Sequence, residues 1–177
     1  MSEVQTAHTA DLDAATLAAV RALMAAAFGD EFDEADWEHA LGGIHALAWV
    51  DGELIGHGSV VQRRMLQGGR ALRAGYVEAV AVHGDHRRRG YGGALMAPLE
   101  RVIRNAYDLG VLGATEDGAA LYTSRGWQRW EGRLSALTPN GVEHTPEEEG
   151  HVYVLPASTP LDLTGELTCD WRDGDVW

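Results

Sequence analysis

The sequence is poor in cysteine and contains no long apolar run. Its only cysteine, Cys169, has no partner for a disulfide within the chain, which fits a reducing compartment. No apolar run approaches the roughly 20 residues that a membrane-spanning helix needs. The N-terminal segment MSEVQTAHTADLD has acidic residues where a signal peptide has an apolar core. We therefore expect a cytoplasmic protein without a membrane partner.

Basic residues are also scarce, with 14 lysines and arginines against 27 acidic residues and a formal net charge of −13. This balance argues against a nucleic-acid partner, because proteins bind phosphate backbones through cationic surfaces. The acidic excess suits a cationic ligand, but it also serves solubility alone. The chain of 177 residues is long enough for one buried core and short for two, so we predict a single domain over residues 1–177.

Several catalytic and binding motifs are missing. No GK[ST] follows the glycine-rich segment, which excludes a P-loop, and a dinucleotide-binding fingerprint is excluded by its glycine spacing. No Ser-His-Asp arrangement stands out. The histidines His39 and His45, and the group His83, Asp85 and His86, lack a recognised ligand spacing, so we expect no metal site.

The first half predicts a short strand at Val4–Thr6, then two helices followed by three strands. A helix through ATLAAVRALMAAAF begins after Asp11 or Asp13, and EADWEHAL predicts a second short helix. GIHALAWV and LIGHGSVVQRRM are typical of strands, and Asp51-Gly52 between them is typical of a two-residue hairpin turn. ALRAGYVEAVAVH is the most convincing core strand.

The second half predicts alternating helices and strands: a helix over 94–106, a strand over 110–114, a helix over 118–124, and strands near 134–137 and 152–155. Pro98 lies inside the first of these helices, which predicts a kink or a helix start displaced by one turn. The order of elements predicts an α+β (mixed α/β) fold with a mixed, largely antiparallel central sheet and helices on both faces.

The segment HRRRGYGGALM combines positive charge with bare backbone directly before a predicted helix. A helix N-terminus offers unpaired N–H groups and partial positive charge to anions. Gly90, Gly92 and Gly93 would let a phosphate approach the backbone, and Arg87–Arg89 would add charged donors. A glycine-rich turn with solvated arginines is the alternative interpretation.

Arg87-x-x-Gly90-x-Gly92, followed thirty residues later by AALYTSRGW, resembles the two motifs of the GNAT superfamily of acyl-CoA N-acetyltransferases. The resemblance implies a GNAT fold and acetyl-CoA as co-substrate. Tyr122 would protonate the thiolate of coenzyme A, and the Val80 N–H would hold the thioester oxygen. The implied coenzyme-binding residues are Val80, Ala81, Val82, Arg87, Arg88, Arg89, Gly90, Tyr91, Gly92 and Gly93.

Glu78 is a single acidic residue within the apolar run YVEAVAV. If its side chain points into a cleft, it would accept the proton of an attacking amine, directly or through water. Such a role would need a water relay or a raised pKa. If the strand has one solvent-exposed face, the glutamate would simply lie on it.

A closer resemblance covers residues 9–177. EFDEADWEHALGGIHAL and LTCDWRDGDVW are similar to sequences of the aminoglycoside 2'-N-acetyltransferases of mycobacteria and their relatives. That family resemblance implies a homodimer and a site for a polycationic sugar. The implied substrate-binding residues are Glu31, Glu78, Ala79, Glu148, Asp175 and Trp177 with its terminal carboxylate. This sequence departs from the family at Glu31, at Glu147–Glu149 and at Ala79, where the family has shorter acids and a glycine.

The tail DGDVW itself offers several carboxylates, although a solvated, frayed tail is the ordinary outcome for a terminus. The hydrophobic residues Trp171, Val176 and Trp177 argue against fraying. We predict an acetyl-CoA-dependent acetyltransferase that acts on the 2' amine of aminoglycosides by direct transfer in a ternary complex, conferring antibiotic resistance. A GNAT enzyme for another amine and a non-catalytic CoA-binding domain remain the alternatives.

Overall fold

The computed structural model describes residues 2–177. Its four α-helices within that range are α1 (Ala14–Phe28), α2 (Glu34–His39), α3 (Tyr91–Ala106) and α4 (Glu116–Ser124). The strands there are β1 (Ser2–His8), β2 (Ile44–Val50), β3 (Glu53–Gln67), β4 (Arg70–Val82), β5 (Leu109–Gly113), β6 (Gln128–Arg129), β7 (Leu134–Thr138), β8 (Gly141–His144), β9 (Val152–Pro156) and β10 (Leu167–Cys169). No helix within 2–177 is long and apolar enough to cross a membrane.

The ten strands form one mixed sheet in the order β6-β9-β5-β4-β3-β10-β7-β8, with β2 pairing both β1 and β3. The β4–β5 and β7–β10 pairs are parallel. The β1–β2, β2–β3, β3–β10, β5–β9, β6–β9 and β7–β8 pairs are antiparallel. The predicted mixed, largely antiparallel α/β architecture is confirmed.

The chain divides into two compact units, and β3 and β4 each contribute residues to both. The first unit contains the residues up to 61 together with 77–101, and the second contains 62–76 and 102–177. One core cluster of the first unit is formed by Val20, Met24, Trp37, Leu47 and Ala81. The second unit buries Leu109, Val111, Trp127, Trp130 and Val154.

Local signals in the sequence explain where the first helices begin. Asp13 caps α1, since its Oδ1 accepts a hydrogen bond from the Thr16 N–H at 2.7 Å. Of the two acids considered, Asp13 is thus the cap. α2 begins with a capping box in which Asp33 and Asp36 each accept from the other's backbone N–H.

The Asp51-Gly52 turn forms as predicted, with φ of 50° and 85° at its two residues. Both values lie in the left-handed region that a two-residue type I′ hairpin requires. α3 begins at Tyr91, three residues before the predicted start, so Pro98 is an interior residue of the helix. The sequence interpretation missed three short strands: β6, and also β8 and β10, which lie inside segments interpreted as loop and tail.

Candidate active site

The end of β4 contains an irregular backbone position. Ala79 has a φ of 51°, in the left-handed region that L-residues rarely adopt. Glu78, Ala79 and Val80 are half-buried there, between the buried Val77 and Ala81. This conformation gives a physical reason for the glycine that the aminoglycoside-modifying family has at this position, since glycine takes positive φ without a Cβ clash.

The Ala79 carbonyl is held from the neighbouring strand. His57 Nδ1 lies 2.8 Å from Ala79 O, and His57 is fully buried in β3. His57 Nε2 lies 2.8 Å from Nδ1 of His45, also fully buried, in β2. Burial lowers the pKa of His57 to about 3 and that of His45 to about 4, with nearby His8 adding to the latter effect. Both rings are therefore neutral at pH 7.

The arginine-glycine loop follows β4 and leads into α3. Arg87, Arg88 and Arg89 are exposed, and Arg87 Nε donates to the Val82 carbonyl at 3.2 Å. Arg88 and Gly90 have φ of 59° and 86°, so two left-handed residues turn the chain within three positions. The Ala94 N–H donates to the Gly90 carbonyl at 3.0 Å, which begins the helix. The N–H groups of residues 91–93 thus form the first turn of a 16-residue helix, as an anion cradle requires.

Tyr122 lies near the end of α4 in the second unit. The side chain is 8% exposed, and its ring makes an edge contact with Trp127 at a centroid distance of 6.2 Å. A Cβ at Gly118 would approach Tyr122 Cε2 to 3.0 Å, so a glycine one turn earlier leaves room for the phenol ring. Burial raises the pKa of Tyr122 to about 12. The phenol is therefore protonated at neutral pH, the form that can donate a hydrogen bond.

The C-terminal segment is anchored within the second unit, and the frayed-tail alternative is wrong. The Trp177 indole is 4% exposed, and its Nε1 donates to Thr145 Oγ1 at 2.9 Å. Arg172 Nη2 donates to the Trp177 backbone oxygen at 3.0 Å. The buried Arg63 donates to the Val176 carbonyl at 2.7 Å.

Two aromatic contacts complete this anchor. The Arg63 guanidinium lies 4.6 Å from the centroid of the buried Tyr76 ring, and that of Arg172 lies 5.2 Å from it. Arg63 also pairs with Asp170, with Nε 2.8 Å from Oδ1. The tail is therefore fixed by two arginines whose charges are partly balanced by one carboxylate and one aromatic face.

The pKa of Glu148, one of the predicted substrate-binding acids, is raised in part by another of them, Asp175. Burial raises the pKa of the half-buried Glu148 carboxyl, and the negative charge of Asp175 raises it further, followed by that of Glu147. Asp175 is exposed, and its Oδ1 accepts from the Trp177 N–H at 3.0 Å. Glu149, by contrast, is paired with His144 at 2.7 Å. Of the three consecutive glutamates, Glu148 is thus the one associated with the C-terminal segment.

The structure groups the predicted site residues in two sets. Within the first unit, Glu78, Ala79 and Val80–Val82 belong to β4, and the loop of Arg87–Gly93 follows directly. Within the second unit, Glu148, Asp175 and Trp177 come together, and Tyr122 lies on α4. Glu31 is exposed in a short 3-10 turn between α1 and α2.

The sequence interpretation did not identify the residues that hold these groups, namely Arg63, Tyr76, Thr145, Arg172, His45 and His57 in these roles. His45 was considered as a metal ligand with His39, but its ring bonds to His57 and to Thr9 Oγ1 at 2.7 Å. Across the described residues 2–177, no three His, Cys, Asp or Glu side chains are grouped to hold a metal ion.

Comparison with known proteins identifies the family. Residues 9–130 match the family model described as an acetyltransferase (GNAT) domain. This chain belongs to the GNAT family of acetyltransferases. The GNAT chain is also 51% identical over 174 residues to an aminoglycoside 2'-N-acetyltransferase of Mycolicibacterium fortuitum, covering 96% of this chain and 89% of that protein. Both resemblances noted in the sequence are confirmed.

Solved structures of GNAT proteins share the fold of this acetyltransferase. A GNAT family N-acetyltransferase (YhbS) from Escherichia coli, in complex with CoA, has a TM-score of 0.64 at 17% identity, covering 95% of this chain and 89% of that one. A GNAT family acetyltransferase from Brucella melitensis, in complex with acetyl-CoA, has a TM-score of 0.63 at 16% identity, covering 94% of each chain.

Proposed function

We propose that this acetyltransferase transfers the acetyl group of acetyl-CoA to the 2' amine of aminoglycosides, in a ternary complex and without a covalent enzyme intermediate. The observation that carries the proposal is the half-buried Glu148 carboxylate, which lies close enough to the negative charge of Asp175 for that charge to raise its pKa, beside the anchored Trp177. Two carboxylates that repel each other are stabilised by a cation placed near both. The likeness to an aminoglycoside 2'-N-acetyltransferase supports the same substrate class.

The loop after β4 fits the diphosphate of acetyl-CoA, which supplies the acetyl group as an activated thioester. The N–H groups of residues 88–93 would hold the phosphate oxygens, since this turn combines left-handed residues with the start of α3. Arg87–Arg89 are exposed and would add charge-assisted donors. The backbone of Val80–Val82 would pair with the pantetheine arm, and the Val80 N–H would donate to the thioester oxygen.

Glu78 would receive the proton that the attacking amine loses, directly or through water, because only a neutral amine has a lone pair for attack. As the carbon–sulfur bond breaks, the sulfur would take a proton from Tyr122. The pKa of this phenol, about 12, lies above that of an ordinary thiol near 8.5. Tyr122 would therefore stabilise the departing sulfur mainly by donating a hydrogen bond; after its proton has passed to the thiol, water would return a proton to the phenolate.

Product analysis by NMR tests the proposed reaction. The enzyme would be incubated with acetyl-CoA and an aminoglycoside bearing several amines, and in parallel with a congener that carries a hydroxyl at 2'. We expect one acetyl group at the 2' nitrogen of the first compound and no turnover of the second. Acetylation at another nitrogen, or of unrelated amines only, would favour the alternative GNAT acceptor. No thiol release with any amine would favour a CoA-binding domain.

Charge-neutralising variants test the acidic cluster. We expect Glu148→Gln combined with Asp175→Asn to raise KM for the aminoglycoside about tenfold or more, while KM for acetyl-CoA stays within about twofold. Glu131→Gln combined with Asp117→Asn removes the same two types of charge from exposed positions of the second unit and is the matched control. An equal effect of the control would mean that the effect reflects net charge only.

We also propose a cytoplasmic homodimer that confers aminoglycoside resistance and binds neither nucleic acid nor membranes. The family resemblance supports the dimer, and the net charge of −13 supports the absence of a nucleic-acid partner. Sedimentation equilibrium measures whether the protein is a dimer. The inhibitory concentration of an aminoglycoside for cells expressing the enzyme, compared with cells expressing Tyr122→Phe, measures the resistance.

A further inference from the structure

A chain of hydrogen bonds runs through the first unit to the irregular position in β4. The Gly42 N–H donates to Thr9 Oγ1 at 2.8 Å, and Thr9 Oγ1 lies 2.7 Å from His45 Nε2. His45 Nδ1 lies 2.8 Å from His57 Nε2, and His57 Nδ1 lies 2.8 Å from Ala79 O. We call Thr9, His45 and His57 the histidine relay.

The acceptor at the end of the relay fixes the direction of every proton in it. Ala79 O only accepts, so His57 must carry its proton on Nδ1 and present a bare Nε2. His45 must then donate from Nδ1, and its Nε2 must accept from the Thr9 hydroxyl. Each ring uses both nitrogens while neutral, which matches the full burial of both histidines. The relay is therefore complete only in one tautomer of each ring.

The end of the relay determines where the Val80 N–H points. The Ala79 carbonyl and the Val80 N–H belong to one peptide group, and no peptide bond among the described residues is cis. In a planar trans peptide the carbonyl and the N–H point in opposite directions. A bond that holds Ala79 O toward His57 therefore aims the Val80 N–H away from His57. The side chain of Val80 also packs against Gly58 on the neighbouring strand. A Cβ added at Gly58 would lie only 3.3 Å from Val80 Cγ2, so the glycine leaves the room that this side chain occupies.

We propose that the histidine relay is a positioning device for acetyl transfer: through the Ala79 carbonyl it orients the Val80 N–H that receives the thioester oxygen. The inference rests on the proposed role of Val80, and His57 acts only through the peptide that it holds. A left-handed alanine gains no stability from its own conformation, so an external bond is needed to keep this peptide in one orientation. The relay supplies that bond from two neighbouring strands.

Histidine NMR tests the relay without any turnover. In the wild-type enzyme with 15N-labelled histidine, long-range 1H–15N correlations report which ring nitrogen carries the proton. We expect His45 and His57 to be neutral at pH 7 with the proton on Nδ1, and neither to titrate above about pH 5. A proton on Nε2 of His57, or an imidazolium at pH 7, would overturn the inference, because neither arrangement supports this relay.

Two substitutions at His57 separate positioning from packing. In His57→Asn the amide nitrogen takes the place of Nδ1 and keeps a donor for Ala79 O. In His57→Gln the amide takes the place of Nε2 and loses that donor. We expect His57→Gln to lower kcat about tenfold or more with both KM values within about threefold, since complete loss of an oxyanion donor costs about 100- to 1,000-fold. We expect His57→Asn to retain kcat within about threefold.

Equal losses of kcat in the two variants would contradict the inference and leave His57 a packing residue. If His57→Gln fails to fold, Thr9→Val and Thr9→Ser replace the pair, since serine keeps the hydroxyl that donates to His45 and valine does not.

The Val80 amide resonance adds an independent readout: it should shift when acetyl-CoA is added to the wild type. A wild type without aminoglycoside turnover would count against the proposed function, while the histidine tautomers would still test the relay.

Discussion

Ala79 combines a structural cost with a position in the proposed site. Its φ of 51° is a left-handed backbone conformation, which costs an L-residue about 1–2 kcal/mol. The side chain is half-buried, and the carbonyl bonds to His57. The departure from the family's glycine therefore leaves the backbone path intact at the expense of stability.

Replacing this alanine by glycine should stabilise the protein. We expect Ala79→Gly to raise the free energy of unfolding by about 1 kcal/mol in urea denaturation, because glycine adopts positive φ without a steric penalty. Ala81→Gly on the same strand is the matched control. Ala81 is 7% exposed and is not among the described residues with positive φ, so its substitution should destabilise the protein. Stabilisation by both substitutions, or by neither, would contradict the argument.

Tyr122 allows the hydroxyl and the ring to be separated. Tyr122→Phe keeps the edge contact with Trp127 and removes only the donor. We expect the fold to be retained by circular dichroism and kcat to fall about 100-fold. Tyr107→Phe is the matched control at a half-buried position outside the proposed site.

The pKa of Tyr122 also predicts how kcat depends on pH. Because burial raises this pKa to about 12, the phenol stays protonated up to pH 10. We therefore expect no loss of kcat from ionisation of Tyr122 between pH 8 and pH 10. A decline in that range that disappears in Tyr122→Phe would show that the phenol ionises earlier.

At the scale of elements, β2 and β3 bury two titratable rings between them. His45 and His57 have pKa values of about 4 and about 3 in the folded protein, against about 6.5 in an unfolded chain. The unfolded chain therefore binds more protons than the folded one below pH 6.5. The stability that the neutral rings contribute is complete above pH 6.5 and is lost as the pH falls toward 4.

Urea denaturation between pH 7 and pH 4 measures this loss. We expect each histidine to add a slope of at most about 1.4 kcal/mol per pH unit to the decrease in the free energy of unfolding. Carboxylates also contribute to acid destabilisation, so His57→Asn is the comparison that isolates one ring. A variant with the same pH dependence as the wild type would contradict the predicted burial of a neutral His57.

At the scale of the whole molecule, we propose that residues 1–177 form a single domain, although the chain divides into two compact units. Two features of the fold favour this proposal. β3 and β4 each contribute residues to both units, and neither unit is a contiguous segment of the chain. Each unit therefore depends on contacts between segments that are distant in the sequence, which form slowly and disfavour the folding of one part of the chain before the rest.

Hydrogen exchange in increasing urea tests the single domain. We expect peptides from β2 in the first unit and from β9 in the second to lose protection at the same urea concentration, as in a two-state transition. Tryptophan fluorescence should follow the same curve. Separate midpoints for the two peptides would mean that the units are independent domains.

The sequence by itself determined the features that depend on neighbouring residues. Segments of only a few residues, in which backbone preferences act locally, determine three features: the Asp51-Gly52 turn, the cap at Asp13 and the glycine loop before α3. The family motifs likewise lie in short segments, so the family was predictable, and the loop before α3 could be predicted as the site that we propose for the coenzyme. β6, β8 and β10 were missed because strands of two to four residues carry little periodic signal.

The tertiary structure decided which distant side chains meet. The two-residue turn alone would continue the pairing of Val50 with Glu53 and place His45 and His57 on opposite faces of the hairpin. A bulge between Ala48 and Trp49 changes the register, so that Leu47 pairs with His57 and His45 with Ser59. This shift by one residue puts both rings on the same face. Arg63 and Arg172 reach the tail for a similar reason: their contacts depend on strand register and chain path, which no local pattern encodes.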